Sequence, residues 1–504
     1  MASSAEDTRR AGRGWLAIAG AKIYFILASY AVQLLLPRIF GDPETFGLYG
    51  TLMGAVSILN NVLIVATIQS VSKLTSEDES RAPAVLRQGL RMQLVVGGVL
   101  AVALFGAAPA LARVQMDPAL EPLFRVAAAV VLGYALYAAL MGNLNGRHRF
   151  GTQARLDAVF STLRSVGILG GAALGLGAIG AVAGFAGAAV AVFMIASVVV
   201  GFGARGEGVP LRRWLSFVGP IWVYQGFLNA ILLIDVQVLK RTVAELAVNA
   251  GMAAPQAAAL ASTQVGFYRA AQTFAFVPYQ LILSLTIVIF PMISRATASG
   301  DLAAARQTIR AAVRLATLLL VALAAPIAGA ADGVMRIAYP EEYLAGGPAL
   351  GILIFGIVAF SLFVIAATVL SSSGRPTVAA TIAFIGMCAV VVGDRVLVVQ
   401  TGLGGHPLVA LATGTSAGMA LALLLAGGAV FVRFRTFIPA ATALRCVLAG
   451  AVALGVAREV PHGTRLLALV ALALGFFAYV VALVVLRELR RSDLDAIRGV
   501  LGRR

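Results

Sequence analysis

The chain has 504 residues, of which 60% are hydrophobic and 12% charged. A soluble globular domain carries about 25% charged residues and about 45–50% apolar ones. The composition therefore excludes a soluble enzyme, a disordered chain and a secreted disulfide scaffold. It fits an all-α polytopic membrane protein, in which apolar runs of about 20 residues cross the bilayer as helices. The formal net charge is +17. Its basic residues sit in small groups between apolar runs, where they orient helices and do not mark a nucleic-acid surface.

Apolar runs predict fourteen helices, two pseudo-symmetric lobes of six and a final pair. The first six fall near 15–36, 46–70, 92–112, 123–142, 156–177 and 179–202. The next six fall near 215–239, 263–290, 311–331, 347–371, 376–399 and 406–430. The last two fall near 438–457 and 464–486. The opening segment reads as a retained first helix, too long for the core of a signal peptide. The longest stretch without a clear apolar run is 240–262, so the chain has no room for a sizeable soluble domain. With both termini in the cytoplasm, most Lys and Arg residues fall in cytoplasmic segments, as the positive-inside rule requires. The division is 1–205 for an N-terminal lobe, 206–432 for a C-terminal lobe, 433–486 for helices 13 and 14, and 487–504 for a tail. In the tail, Ser492 with Asp495 resembles a capping box, and Leu494, Ile497, Val500 and Leu501 share one face.

Two echoes support the repeat. Phe46-Gly47-Leu48-Tyr49 opens the second helix, and Val265-Gly266-Phe267-Tyr268 opens the eighth. Asn145-Gly146-Arg147 ends the fourth, and Ser373-Gly374-Arg375 ends the tenth. Both relate helix n to helix n+6. Internal repeats of this kind mark transporters, whose sites lie between the halves.

Catalytic motifs are missing. Three histidines, two cysteines (Cys388 and Cys446) and no metal-type spacing imply neither a cofactor nor a metal centre. A GxGxxG at Gly175, Gly177 and Gly180 follows no strand and has no acidic residue about 20 positions on. With Gly184 and Gly187 it reads as close helix packing.

The informative residues are charges within helices, where each costs about 2.5–3.5 kcal/mol or more unless paired or wet. Cations lead: Lys22, Arg164, Arg269, Arg314, Arg395 and Arg445 against Asp157, Asp235 and Asp394. Such an excess suits a cavity for an anion. Lys22 shares a face with Ser29 and Gln33. Arg269 opens a stripe with Gln272, Thr273, Gln280 and Ser284, broken by Pro278. Helix 2 offers Ser57, Asn60 and Asn61; helix 7 offers Tyr224, Gln225, Asn229 and Asp235. Helices 1, 2, 7 and 8 are thus the expected cavity walls. The same residues also fit a buried polar network between helices. Asp157 and Arg164 read equally as an ion pair or as ligand contacts. Arg314 reads as a snorkelling residue, and Asp394-Arg395 as a local pair.

The segment FGLYGTLMGAVSILNNVLIVATIQSVSKLTSED resembles the polysaccharide transporter branch of the multidrug/oligosaccharidyl-lipid/polysaccharide exporter superfamily. So does GFYRAAQTFAFVPYQLILSLTIVIFPMISRATASGD. Asp235 before the second segment and the SSSGRP after helix 10 are similar as well. The resemblance covers nearly the whole chain. It implies a V-shaped, two-lobed flippase of the bacterial inner membrane that moves an undecaprenyl-diphosphate-linked sugar unit by alternating access. By position, Lys22 and Arg269 look similar to the family's cavity-lining basic residues. Helices 3 and 4 depart from the pattern in supplying little intramembrane charge.

The expected substrate is a lipid-linked oligosaccharide, gripped at its diphosphate by Lys22 and Arg269 with Arg164, Gln33, Asn60, Asn61, Gln225, Asn229, Gln272 and Thr273 around it. Asp235 is the candidate for coupling to a proton or sodium ion. Expected partners are membrane lipids and polysaccharide polymerase or export machinery. Three alternatives compete. A peptidoglycan-precursor (lipid II) flippase has the same substrate chemistry. A cation-coupled multidrug antiporter needs acids to dominate the cavity. A membrane enzyme that polymerises or ligates glycan needs a large outer loop.

Overall fold

A computed structural model describes residues 2–299 and 301–489, with side chains described outside 2–19, 281, 283–291 and 298. The tail with Ser492 and Asp495 lies outside the described residues. Those described form an all-helical, multi-pass membrane protein with twelve candidate spans plus shorter helices. One candidate, Phe150–Val200, is 51 residues long and holds two helices, Phe150–Gly171 and Gly177–Val200. The eighth predicted helix, absent from the twelve, is present as a broken pair.

In chain order the helices are α1 (Ala2–Phe40), α2 (Pro43–Glu77), α3 (Ala82–Val114), α4 (Leu120–Gly146), α5 (Phe150–Gly171), α6 (Gly177–Val200), α7 (Leu211–Asn249) and α8 (Ala254–Ala275). Then come α9 (Val277–Ala298), α10 (Leu302–Gly329), α11 (Ala331–Ala338), α12 (Gly347–Ser372), α13 (Pro376–Thr401), α14 (Pro407–Phe434), α15 (Ala440–Glu459) and α16 (Arg465–Val485). Several ends are fixed by the expected chemistry. Asp42, Asp301 and Thr464 accept from the backbone N–H three residues on, at 2.6, 2.9 and 3.2 Å, and cap α2, α10 and α16. The stretch 240–262 is mostly helix, because its alanines are strong helix formers. α7 runs to Asn249, and Gly251 at φ +87° turns the chain into α8. The predicted eighth helix divides at Phe276, with Pro278 in the first turn of α9, where its missing N–H costs nothing.

The chain divides into two compact units, Met1–Arg269 and Ala270–Arg504. In the first, α4 packs against α2, α3 and α6, and α6 packs against α5. In the second, α12 packs against α9, α10 and α14, and α14 packs against α13. These are the same partnerships shifted by six predicted helices. α4 and α12 are also the most buried spans, with 67% and 78% of their apolar windows inside. The boundary at Arg269 places α7 and most of α8 in the first unit.

α5 and α6 form an antiparallel hairpin. Gly175 and Gly177 take positive φ at the reversal, and side chains on Gly167, Gly171, Gly180 or Gly184 would collide with the opposite backbone. Of the glycines read as packing residues, Gly180 and Gly184 pack; Gly175 and Gly177 form the reversal instead, and Gly175 and Gly187 have open space. α15 and α16 pack on each other and on α10 around Leu318, Ala325, Cys446, Ala453 and Tyr479. At one end of this group Glu488, 3% exposed, accepts from Arg314, Arg445 and Thr442, each at 2.8 Å. Arg314 thus does not snorkel; a carboxylate after α16 meets it inside the protein.

Candidate functional site

The first unit gathers a polar patch from α1, α2, α4 and α5. α5 carries Asp157, Ser161 and Arg164, spaced four and three apart along one side, with Ser165 four residues after Ser161. The Tyr137 hydroxyl of α4 donates to Asp157 at 2.9 Å, and Lys22 of α1 lies within electrostatic reach of the same carboxylate. Lys22 is exposed and makes no ion pair or hydrogen bond among the described residues. Arg164 donates to the Ser29 hydroxyl, lies 4.5 Å over the Phe25 ring and faces the Tyr134 hydroxyl. Asp157 and Arg164 therefore do not pair; seven residues apart, each takes partners from α1 and α4.

Arg269 enters from α8. Its stem lies against Gly50, where an added Cβ would come within 2.7 Å of Arg269 Cγ. Arg164 and Arg269 are both within electrostatic reach of the buried Tyr49 hydroxyl. The fold thus brings two predicted cations to one tyrosine and sets the third, Lys22, beside Asp157. The patch keeps unused polar capacity. The Ser161 and Ser165 hydroxyls and Arg164 Nε are buried without a protein partner, as is Asn60 Oδ1, three turns past Tyr49 on α2. A bound anion or hydroxyl-rich ligand, or water, is what such groups take up.

Other predicted residues are committed elsewhere. Asn61 Nδ2 donates to Asn229 Oδ1 at 2.8 Å, and Asn229 Nδ2 returns a bond to the Gln225 carbonyl at 2.8 Å. This ties α2 to α7. Asp235, 1% exposed, accepts from the Tyr268 hydroxyl at 2.8 Å and from the Val236 N–H at 2.8 Å. It is a buried link between α7 and α8. Gln33 is half-buried on α1, and Gln272 and Thr273 are buried in the second unit. Asp394 accepts from Thr415 of α14 at 3.0 Å, a bond to the next helix along. Among the described residues no group of three or more His, Cys, Asp and Glu could hold a metal ion.

Sequence reasoning missed Lys240 and Asp117. Lys240 lies one residue past the predicted seventh helix, 215–239, and neither it nor Asp117 is singled out by the sequence. They form a buried ion pair of 2.6 Å, with side chains 0% and 8% exposed. No local signal joins residues 123 apart; only the extension of α7 past 239 would have placed Lys240 inside.

This is the fold of MOP-superfamily transporters. The structure resembles a solved lipid II flippase MurJ in an inward closed conformation, with TM-score 0.75, 14% identity, and coverage of 94% of this chain and 99% of that one. It also resembles an inward-facing multidrug resistance MATE transporter, with TM-score 0.62, 15% identity, and coverage of 81% and 94%. A MOP transporter from Pyrococcus furiosus, described as having a binding pocket of reverse polarity, gives TM-score 0.59, 16% identity, and coverage of 83% and 95%. No protein of curated function matches by sequence. The family "Polysaccharide biosynthesis protein" matches residues 11–297, and the chain belongs to it. It is a multi-pass membrane protein of polysaccharide biosynthesis with the fold of MOP-superfamily transporters.

Proposed function

We propose that the protein flips a polyprenyl-diphosphate-linked oligosaccharide from the inner to the outer leaflet of a bacterial cytoplasmic membrane by alternating access, with both termini in the cytoplasm. The observation that carries this reading is the polar patch of the first unit. Its guanidinium and hydroxyl groups include several that are buried and have no protein partner. A diphosphate cannot cross hydrocarbon bare. Fixed cations and hydroxyls replace its water while the prenyl chain stays in lipid. Arg164, through its free Nε, and Lys22 are the groups best supplied for the diphosphate, with Arg269 beside them. Ser161, Ser165 and Asn60 suit sugar or phosphate oxygens. Asp157, beside Lys22, balances that charge when the site is empty.

The test is transport in vesicles holding a fluorescent polyprenyl-diphosphate oligosaccharide, with wild type compared against Lys22→Ala, Arg164→Gln and Arg269→Ala. Protein-dependent movement that all three variants lose supports both function and site. Movement that all three keep discards the site. No movement of this probe, with movement of a lipid II probe, moves the protein to peptidoglycan precursors. Export of cationic drugs alone overturns the reading.

A further inference from the structure

The two echoed segments meet each other. A Cβ added to Gly47 of α2 would run into the carbonyl oxygen of Ser262 on α8, and one added to Gly266 of α8 would run into that of Pro43 on α2. In each case the glycine faces the carbonyl four residues before its counterpart. The crossing is therefore made by two copies of one segment, packed reciprocally. Only glycine permits an approach this close, with Cα–H groups against carbonyl oxygens.

Lys240 of α7 locks the same place. Its ammonium donates to Asp117 Oδ2 at 2.6 Å, to the Ala258 carbonyl at 2.7 Å and to the Ser262 hydroxyl at 2.6 Å. All three donors are used, on the turn between α3 and α4 and on α8. Ser262 is the residue whose carbonyl Gly47 touches. Gln237, one turn earlier, donates to the Thr51 carbonyl of α2 at 2.8 Å and accepts from Gln115 at 2.9 Å. Arg241 donates to the Val114 carbonyl at the end of α3 at 2.8 Å.

We propose that the reciprocal Gly47–Gly266 crossing, locked by Lys240 on Asp117 and Ser262, is the closed gate at this end of the transporter. Parting α8 from α2 breaks the crossing and lets water reach Lys240 and Asp117. Water then solvates the separated charges, so the latch holds without welding. A buried ion pair nearly breaks even against hydration, and a glycine crossing adds only dispersion and weak hydrogen bonds. Two such states lie close enough in energy to alternate. The inference rests on the chain's being a transporter and not on which cargo it carries. In the orientation proposed above, this is the outer end.

The experiment uses the full chain with Cys388 and Cys446 replaced by alanine. Nitroxides are placed at Glu44→Cys on α2 and Gln256→Cys on α8, both exposed positions, and pulsed electron resonance reads their separation in lipid nanodiscs. The parent should give mainly a short distance. Gly47→Leu and Lys240→Met should each move at least half of the population to a longer one, and Gly47→Ala should move a smaller share. The double variant Lys240→Met with Asp117→Leu should recover the short distance, because it leaves no lone buried charge. Unchanged distances in monodisperse Gly47→Leu and Lys240→Met proteins would overturn the proposal. So would a double variant as open as Lys240→Met alone.

Discussion

Replacing Glu488 by glutamine should loosen α15 and α16 from α10. The carboxylate holds Arg314 and Arg445 and accepts from Thr442. Glutamine keeps one acceptor oxygen, removes the charge and turns an amide toward two guanidiniums. Breaking one partner of a buried pair costs about 3–5 kcal/mol. Here Arg314 and Arg445 are 20% and 38% exposed, so water screens part of the loss. Arg314 also keeps its bond to the Glu488 backbone carbonyl, at 2.6 Å. The remaining cost is about 2 kcal/mol. At about 2–4 °C per kcal/mol for a unit of some 200 residues, the melting midpoint should fall by about 4–8 °C. Differential scanning fluorimetry in detergent measures it. pH gives an independent check. Burial alone would raise the Glu488 carboxyl, but the bonds from Arg445, Arg314 and Thr442 outweigh it and hold the group below the ordinary glutamate range. Its contribution is therefore full above the unfolded value, about 4.3, and is lost as pH falls through the lower folded value. Wild type should lose stability over that acid window by an amount that Glu488→Gln does not show. A variant that melts with wild type at neutral pH, or that has the same acid profile, would refute the reasoning.

Three further outcomes are expected. Gly184→Leu forces α5 from α6 at Gly167 and should destabilise the protein by about 1–3 kcal/mol, read by the same melting assay. Asn61→Leu strands the Asn229 amide and should cost about 1 kcal/mol, whereas Asn61→Leu with Asn229→Leu should cost less than the single change, as a melting series over all three proteins will tell. Arg164→Lys keeps the charge but loses the fork that reaches Ser29 while lying on Phe25. In the vesicle assay its initial rate should drop about tenfold, equivalent to about 1.4 kcal/mol, with melting unchanged.

Much of the fold is legible in the sequence because a bilayer leaves few options. Twenty apolar residues must be a helix, and the alternation of basic segments agrees with the expected count. The pairing of the two halves also shows, since Gly47 and Gly266 recur in matched surroundings. What local pattern does not encode is the end of each helix and the choice of partner. Alanine-rich 240–262 has no strong hydropathy, yet it is mostly helical because alanine is a strong helix former, and contacts at Lys240 and Ser262 then tie it to the rest of the fold. Glu488 follows the last predicted helix by two residues, and its role depends on Arg314, 174 positions earlier.

The same limit explains the division among the intramembrane charges. Sequence alone counts Lys22, Arg164, Asp235 and Arg314 as costly charges and assigns their roles from position along the helix, without seeing their partners. The fold separates them by whether their bonds are complete. Lys240 has all three donors filled, Arg314 is held by a carboxylate, and Asp235 receives Tyr268 and a backbone N–H. Such groups gain nothing from a ligand and lose partners if one enters. Lys22 has no ion pair among the described residues, and Arg164 keeps a buried Nε without an acceptor, next to two hydroxyls in the same condition. These groups gain bonds when an anion arrives. In a transporter, binding energy must also be released on the far side, which favours a site with several moderate contacts over one sealed ion pair. In the proposed mechanism Lys240 and Lys22, two of the three lysines in the chain, take opposite roles: one would keep a passage shut because its bonds are satisfied, and the other would meet a cargo because its bonds are not.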